Sequence, residues 1–487
     1  VVVDPYRTAT AEKADVHLML RPGTDGALAC AVMHVLLQEE LADRDYLTRL
    51  TDFSPAVERH LESRTPEWAA RITGLSTEQI VSFARLYGST RRSFMRIGYG
   101  FTRQRNGAAA MHAVSCLPAI TGAWQEKGGG ALYGHSAIYG LERSFLNGLD
   151  RPVPSARQLD MSALGAILAG DPGALRGGPP VTAMLVQNTN PAVVAPESLV
   201  IRKGLLREDL FLCVHEQFMT DTARLADVVL PATMFTEHDD LYQASGHTFL
   251  QVATAVLAPP GECRSNHDFI GQLAGRLGVA HPAFAMSARA LIDQVLTASG
   301  KPGAEDLLRQ GWLDCALPFE KAHFLDGFGH PDGRFRFAPD WSAIGPNHAV
   351  MPSMPDQLDV NEETSAETPF RLVPAPARHF LNSTFTETAK SMAGERRPTV
   401  LVHPDTAENL GFVDGSLVRL GNRRGMIRLH ARLFDGVQPT TLVVESQWPN
   451  ASFVDGIGIN ALVGAAPGFP NGGAAYHDTA VWLAPDT

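Results

Sequence analysis

The chain has 487 residues and a formal net charge of −11; 45% of its residues are hydrophobic and 19% are charged. This composition is that of an ordinary globular protein, and the length allows about two to four domains. The negative charge argues against nucleic acid or an anionic membrane as a general partner. Five scattered cysteines without a CxxC pair favour a reducing compartment and argue against a clustered iron–sulfur or zinc site in this chain. No apolar run reaches about 18 residues, so no membrane span is predicted.

The chain begins in a predicted strand that ends at Asp4. A second strand leads into Pro22-Gly23-Thr24-Asp25, where Gly23 can bring the backbone close to a ligand. Asp25 opens a helix predicted over 26–41, a position at which a carboxylate caps. Because a domain rarely starts in the middle of a sheet, we expect a further N-terminal segment to precede this sequence.

A Gly-rich loop follows the next predicted strand, 94–97. The loop, 98–107, carries Tyr99, Gly100 and Arg103 ahead of a helix that starts at Ala108. Glycines and arginines at this position indicate a loop that contacts a phosphate or a ring, although a lone GxG is a weak signal. His135 lies beyond a run of glycines, and we favour a structural role for it over a catalytic one.

The stretch 181–239 contains three short apolar runs, 183–186, 210–214 and 228–230, each followed by a polar loop. Such runs are typical of buried parallel strands in βαβ units. Ligands in parallel sheets bind at the carboxyl ends of the strands, where these loops lie.

The opening pattern recurs in this stretch. When Asp4 is set on Glu216, the further matches are Thr8 with Thr220, Thr10 with Thr222, Ala11 with Ala223, Ala14 with Ala226, Asp15 with Asp227 and Leu18 with Leu230. A carboxylate at a strand end can pair with ribose hydroxyls or with the N1–H and amino group of guanine, and neighbouring threonines suit a phosphate. The repeat therefore predicts two nucleotide-like ligands. The alternative is a duplicated α/β scaffold in which these polar residues only cap helices.

The last third of the chain changes character. Residues 341–368 are rich in Pro, Asn and Glu and predict a linker. Short strands predicted at 399–402, 417–420, 426–433 and 440–444, with a hairpin turn between the second and third, indicate a small β-barrel. The predicted domains are 1–135, 136–340 and 369–487, with the linker before the last.

In this order the motifs resemble the molybdopterin oxidoreductase family, which includes formate dehydrogenases, nitrate reductases and S- or N-oxide reductases. The resemblance rests on the following residues: Asp4-Pro-x-Arg7-Thr8-x-Thr10-Ala11, Pro22-Gly23-Thr24-Asp25, Asn188-x-Asn190-Pro191, Glu216 to Asp227, His379-Phe-Leu-Asn382-Ser383, Asn460 and Tyr476.

The family resemblance implies two Rossmann-like three-layer α/β/α domains with parallel sheets, followed by a C-terminal β-barrel of the double-psi type. It also implies one molybdenum held by two molybdopterin guanine dinucleotides. One dinucleotide would be lined by Asp4, Arg7, Gly23, Asp25, Tyr99 and Arg103, with Thr8 and Gly100 also assigned to cofactor binding. The other would be lined by Asn188, Asn190, Glu216, Thr220, Thr222 and Asp227. The barrel residues His379, Asn382, Ser383, Asn460 and Tyr476 would close over the pterins.

By this resemblance the intact protein would be an oxidoreductase that performs two-electron or oxygen-atom transfer on a small substrate and exchanges electrons with a partner or subunit. The 4Fe–4S cluster and the residue that ligates molybdenum are expected in the preceding segment, so no catalytic or metal-ligating residue is assigned here and the chain alone is expected to be inactive. A cytoplasmic location is expected, with the periplasm left open.

The sequence also bears on the substrate and on two alternative functions. The arginine of formate-type enzymes, expected near residues 133–136, is absent, which disfavours formate as substrate. A non-catalytic scaffold within an electron-transfer complex is the alternative function. An NAD enzyme is disfavoured because no GxGxxG joins a strand to a helix.

Overall fold

Parallel strands organise the α/β part of the chain in the computed structural model, which describes residues 1–486. The strands are β1 Val2–Val3, β2 His17–Leu18, β3 Phe94–Arg96, β4 Gly130–Leu132, β5 Ala183–Gln187, β6 Phe211–Glu216, β7 Val228–Pro231, β8 Asp240–Tyr242, β9 Phe249–Ala253 and β10 Leu313–Asp314. The pairs β1–β2 and β3–β4 and the sheet β5–β6–β7 are parallel. The small sheet β10–β9–β8 is antiparallel and was not predicted.

The helices surround these sheets. They are α1 Asp25–Gln38, α2 Arg44–Leu50, α3 Pro55–Glu62, α4 Pro66–Thr73, α5 Thr77–Ser89, α6 Gly107–Ile120, α7 Leu164–Leu168, α8 Pro191–Val194, α9 Ser198–Leu205, α10 Asn266–Leu277, α11 Ala288–Ala298, α12 Ala304–Gln310, α13 Phe319–Ala322, α14 Ala389–Glu395 and α15 Pro404–Leu410. Helix α1 is buried on nearly every side, because it is apolar all round and packs against α4, α5 and α6. None of the helices in residues 1–486 combines the length and apolar content needed to cross a bilayer.

The C-terminal strands close into a barrel. They are β11 Phe370–Ala375, β12 Thr399–Val402, β13 Leu417–Asn422, β14 Gly425–Leu433, β15 Thr441–Glu445 and β16 Thr479–Pro485. Their order around the barrel is β11–β15–β12–β14–β13–β16. The predicted fold class, parallel α/β sheets followed by a β-barrel, is confirmed.

The segment between the second α/β region and the barrel packs onto the first domain. Phe337 belongs to the first domain's core, and the Asp52 carboxylate accepts the backbone N–H of Phe337 at 2.6 Å. Farther along, Arg64 pairs with Asp356 at 2.5 Å. The predicted boundary at residue 340 therefore does not coincide with a change of packing partner, and the predicted linker is docked along this stretch rather than free.

The duplicated pattern is also a duplicated structure. Val3 is opposite Leu18 in the β1–β2 pair, and the matching residues His215 and Leu230 are opposite each other in β6–β7. In both copies a threonine hydroxyl caps the intervening turn: Thr8 Oγ1 accepts the backbone N–H of Ala11, and Thr220 Oγ1 does the same for Ala223, each at 3.2 Å.

The two copies differ in burial. Thr222 is fully buried, with its hydroxyl 2.7 Å from Asn190 Oδ1 and 3.0 Å from the backbone nitrogen of Ala192. Its counterpart Thr10 is exposed. The second repeat is therefore fastened to helix α8 by a polar contact that the first repeat lacks.

Replacing Thr222 by valine should lower the free energy of unfolding by about 1–3 kcal/mol, because the buried N–H of Ala192 loses its acceptor. Thr10→Val, at the matched exposed position, should change it by less than about 0.5 kcal/mol. Urea unfolding of both variants checks this, and equal effects would contradict the assigned role of the buried contact.

Candidate functional site

A cavity of about 830 Å³ lies between the first α/β domain and the barrel. Its volume falls in the range of about 300–1,000 Å³ that small-molecule sites occupy. It brings together the following predicted site residues: Asp4, Thr8, Gly23, Asp25, Tyr99, Gly100, Arg103, Asn382 and Tyr476.

Two carboxylates face this cavity. Asp4 directly follows β1 and Asp25 begins α1, and burial raises the pKa of each to about 6. The charge of Asp4 adds to the rise in the pKa of Asp25, while the backbone N–H of Tyr6, 3.3 Å from Asp4 Oδ1, opposes the rise at Asp4. Partly desolvated carboxylates pair best with a ligand that presents several N–H or O–H donors.

Aromatic side chains and the side chain of Arg103 also line the cavity. The Tyr99 ring is half exposed and lies 5.0 Å from the ring of Tyr133. The Arg103 guanidinium lies 5.5 Å from the centre of the Tyr476 ring. A Cβ placed on Gly98 or Gly100 would meet nothing within 4 Å, so the backbone of this loop is open to a ligand. Carboxylates, rings and a guanidinium together suit a heterocycle that carries a phosphate.

Residues 476–478 fix the wall of the cavity by contacting three parts of the chain. The Tyr476 hydroxyl donates to the carbonyl of Val194 in the second α/β region at 2.8 Å. The His477 N–H donates to the carbonyl of Arg103 in the first domain at 2.8 Å. Asp478 pairs with Arg371 of the barrel at 3.0 Å. This tripeptide therefore contacts all three units.

The second set of predicted residues lies outside the cavity. Asn188 and Glu216 stand at the carboxyl ends of β5 and β6, as predicted, and Asn188 adopts a left-handed backbone with φ of 55°. Burial raises the pKa of Glu216, and the charge of Glu387 acts in the same direction. Phe218 and Met219 follow in the same loop and are exposed.

The remaining members of this second set have structural partners. Asp227 accepts the backbone N–H of Leu212 at 2.7 Å. That contact is at the amino end of β6, about 13 Å along the strand from Glu216 at roughly 3.3 Å per residue. Asp227 therefore does not share a sheet edge with Glu216, which corrects its predicted place beside the same ligand. Thr222 and Asn190 are buried against each other, and Thr220 caps its turn.

Four other predicted residues also have protein partners. Arg7 pairs with Asp435 of the barrel at 2.5 Å and does not line the cavity. Asn460 is buried and donates from Nδ2 to the carbonyl of Val193 at 2.7 Å. The backbone N–H of His379 donates to Glu395, and the carbonyl of Ser383 accepts the hydroxyl of Thr386.

Several residues that line the cavity were not predicted from the sequence, and three of them are Tyr6, Ser446 and His477. Tyr6 inserts among barrel residues and places its hydroxyl 3.3 Å from Glu445 Oε1. Ser446 lines the cavity with φ of 83°, a backbone conformation that a non-glycine residue rarely adopts. His477 lines it beside Tyr476. The available signal was the position of Ser446, two residues after the end of the predicted strand 440–444.

No metal site is evident in the part of the chain that the structure describes: residues 1–486 hold no group of three or more His, Cys, Asp or Glu side chains placed for one. The acidic residues Glu237 and Asp239 instead accept the backbone N–H groups of Met234 and Ala255.

Two family models match the chain. The model described as Molybdopterin oxidoreductase matches residues 1–276, and the model described as Molydopterin dinucleotide binding domain matches residues 370–480.

Curated relatives are similar over nearly the whole chain. The "Probable oxidoreductase YoaE" of Bacillus subtilis is 35% identical over 99% of this chain and 70% of its own length. The F420-dependent formate dehydrogenase 1 subunit alpha of Methanococcus maripaludis is 26% identical over 90% of this chain and 66% of its own. The assimilatory nitrate reductase catalytic subunit of Bacillus subtilis is 25% identical over 96% of this chain and 67% of its own length. The chain thus spans about two-thirds of the length of these relatives.

One solved structure shares the fold. Acetylene hydratase from Pelobacter acetylenicus superposes with a TM-score of 0.79 at 21% identity, covering 99% of this chain and 73% of that one. At this identity the likeness speaks to the fold alone.

Asp25→Asn should raise the melting temperature of the cofactor-free chain at pH 8 by about 2–4 °C. The pKa of Asp25 is raised in the folded chain, so the carboxyl group stabilises the fold at low pH, and this stabilisation is lost as the pH rises through about 6. The gain should vanish near pH 4, where the aspartate is protonated. Calorimetry checks this, with the exposed Asp15→Asn as control; a loss of stability at pH 8 would contradict it.

Proposed function

The chain belongs to the molybdopterin oxidoreductase family, and we propose that its cavity between the first domain and the barrel holds the guanine nucleotide end of one molybdopterin dinucleotide. The observation that carries this proposal is the pair of carboxylates, Asp4 and Asp25, facing one cavity of suitable size. A guanine edge presents an N1–H and an amino group, which match the acceptors of a carboxylate. The Arg103 guanidinium suits the phosphates of the same ligand.

The residues of the chain therefore bind and orient the cofactor. Asp4 and Asp25 accept hydrogen bonds, the open backbone at Gly98 and Gly100 lets the ligand approach, and the rings of Tyr99 and Tyr476 exclude water from its faces. When bound, the molybdenum centre of such a cofactor supplies the two-electron redox chemistry. We assign no bond-making step to a side chain of this sequence.

We propose a second nucleotide position at Glu216. The support is the repeat itself: Glu216 is the last residue of β6 and Asp4 directly follows β1, and the strand register and the threonine cap match in both copies. The two repeats need not contact their nucleotides through the same positions, because Thr222 and Asp227 already form hydrogen bonds within the protein. Glu216, with the exposed Asn188 and the Phe218–Met219 loop, is the surface offered to the second nucleotide.

For the whole protein we propose two-electron or oxygen-atom transfer on a small substrate, with electrons exchanged through an iron–sulfur cluster outside these 487 residues. The five cysteines support this placement of the cluster, because the two buried ones, Cys30 and Cys116, lie inside the first domain's core and the others lie in the second α/β region. The chain alone would then not turn over substrate. The alternative, a scaffold without bound metal, is separated from this proposal by cofactor content.

The first experiment measures guanosine monophosphate released by acid hydrolysis after purification from a host that makes the dinucleotide cofactor. We expect about two equivalents per wild-type chain, since each repeat offers one carboxylate-tipped strand. Asp4→Ala and Glu216→Ala should each retain about one, and the exposed Asp15→Ala about two. A wild-type chain without nucleotide would favour the scaffold, and unchanged stoichiometry in both variants would contradict the assigned sites.

The affinity of the cavity for guanosine monophosphate should fall as the pH is lowered below about 6. A carboxylate accepts two N–H groups only when it is ionised, and the pKa of both Asp4 and Asp25 is raised to about 6 by burial. Isothermal titration calorimetry between pH 5 and pH 8 measures this dependence. An affinity that rises on acidification would show that these carboxylates are not the acceptors.

A further inference from the structure

Asparagine is followed directly by glycine at three places in the chain, 106–107, 147–148 and 471–472. Such a pair is chemically labile, because glycine has no side chain to hinder the attack of its backbone nitrogen on the asparagine Cγ. The three pairs share this motif but have different surroundings in the folded chain. The differences concern the two groups that react, the side-chain amide of the asparagine and the backbone N–H of the glycine.

The first pair is buried and held at both reacting groups. Asn106 donates from Nδ2 to the carbonyl of Gly23 at 2.7 Å and to the carbonyl of Leu358 at 3.0 Å. The backbone N–H of Gly107 donates to the carbonyl of Gln104 at 3.1 Å. A reaction that releases the Asn106 amide nitrogen must first break buried hydrogen bonds, so these contacts protect the pair.

The third pair is exposed at its asparagine but held at its glycine. The backbone N–H of Gly472 donates to the carbonyl of Gly468 at 2.8 Å. The side chain of Asn471 packs against Gly345, where an added Cβ would collide with the Asn471 Oδ1. The attacking nitrogen of this pair is therefore engaged in a hydrogen bond of good length, and the amide packs against a neighbouring segment.

The second pair has neither kind of protection. The side chain of Asn147 is exposed, and within residues 1–486 it makes no hydrogen bond. The backbone N–H of Gly148 lies 3.4 Å from the carbonyl of Phe145, which is long for a hydrogen bond. An added Cβ at Gly148 would meet nothing within 4 Å. The Asn147 amide can therefore turn toward the glycine nitrogen without breaking a strong contact.

The loop that carries this pair is fixed on both sides of it. Before the pair, the Arg143 guanidinium donates to Gln243 Oε1 at 3.0 Å. After the pair, the Asp150 carboxylate lies 3.1 Å from Nε2 of His281. These contacts hold the loop in place without using the side chain of Asn147. A substitution at Asn147 should therefore leave the fold intact.

We propose that Asn147 is a site of spontaneous deamidation in the folded protein, and that the other two pairs are protected. The Gly148 nitrogen loses its proton and attacks Asn147 Cγ. A bond from that nitrogen to Cγ forms, the Cγ–Nδ2 bond breaks, and Nδ2 takes up the proton and leaves as ammonia. Water then opens the cyclic imide at either carbonyl, which gives aspartate or isoaspartate. Each event adds one negative charge to the formal net charge of −11.

Peptide mass spectrometry of the full chain, incubated at pH 8 in 18O-labelled water, measures the rate at each pair. The rate in guanidinium chloride gives the unprotected reference for the same pair. We expect the ratio of the folded to the unfolded rate to be near one for Asn147. For Asn106 and Asn471 it should fall below about 0.1, because hydrogen bonds that must break add to the barrier. A ratio for Asn147 as low as the other two, or a ratio near one at either of them, would overturn the proposal.

The products identify the route. The cyclic imide opens at both carbonyls, so isoaspartate should appear beside aspartate at position 147, and enzymatic methylation of isoaspartate detects it. The rate should also rise with pH, because the Gly148 nitrogen attacks only after it has lost its proton. Aspartate as the sole product, at a rate independent of pH, would indicate direct hydrolysis of the amide and contradict the step.

Two matched variants assign the change in charge. Asn147→Gln and Asn471→Gln both replace an exposed asparagine before glycine, and glutamine keeps the amide but closes the larger imide ring much more slowly. Ion-exchange chromatography of aged samples should show an acidic form in the wild type and in Asn471→Gln, and this form should be missing from Asn147→Gln. An acidic form that persists in Asn147→Gln and disappears in Asn471→Gln would place the site at Asn471 and refute the assignment.

Discussion

The arrangement of the candidate site depends on one constraint: three consecutive residues, 476–478, together contact both α/β regions and the barrel. Tyr476 holds the second α/β region, His477 holds the loop of Arg103, and Asp478 is buried against barrel Arg371 and the docked segment at Glu362. A buried carboxylate without its partner would be costly, so these contacts stabilise one relative placement of the units. The cavity is the space that this placement leaves between them.

The electrostatics of the cavity favour binding at the expense of the stability of the empty chain. Asp4 and Asp25 face the same space, and burial raises the pKa of both to about 6, so near neutral pH each is ionised where solvent stabilises it poorly. A ligand that donates to them restores the lost hydrogen bonds. Such a trade between stability and function is common at binding sites.

The strands and the repeat could be predicted because they depend on residues close together in the sequence. The burial of individual side chains could not be predicted, because it depends on segments that are distant in the sequence. The alignment of Asp4 with Glu216 and of the residues after them predicted the common strand register. The alternation of hydrophobic and polar residues predicted most of the barrel strands. Thr10 and Thr222 occupy the same repeat position, yet only Thr222 is buried, because α8 covers it. Arg7 likewise pairs with Asp435, a residue of the barrel that is distant in the sequence. His477 carried no motif, and only the folded chain places it on the cavity.

The central claim is that the space between the first domain and the barrel holds a guanine nucleotide. A crystal structure of the chain with guanosine monophosphate tests it most directly. The account predicts a purine whose N1–H and amino group lie within about 3.2 Å of the Asp4 or Asp25 carboxylate. A purine bound elsewhere, with both carboxylates facing only solvent, would contradict it.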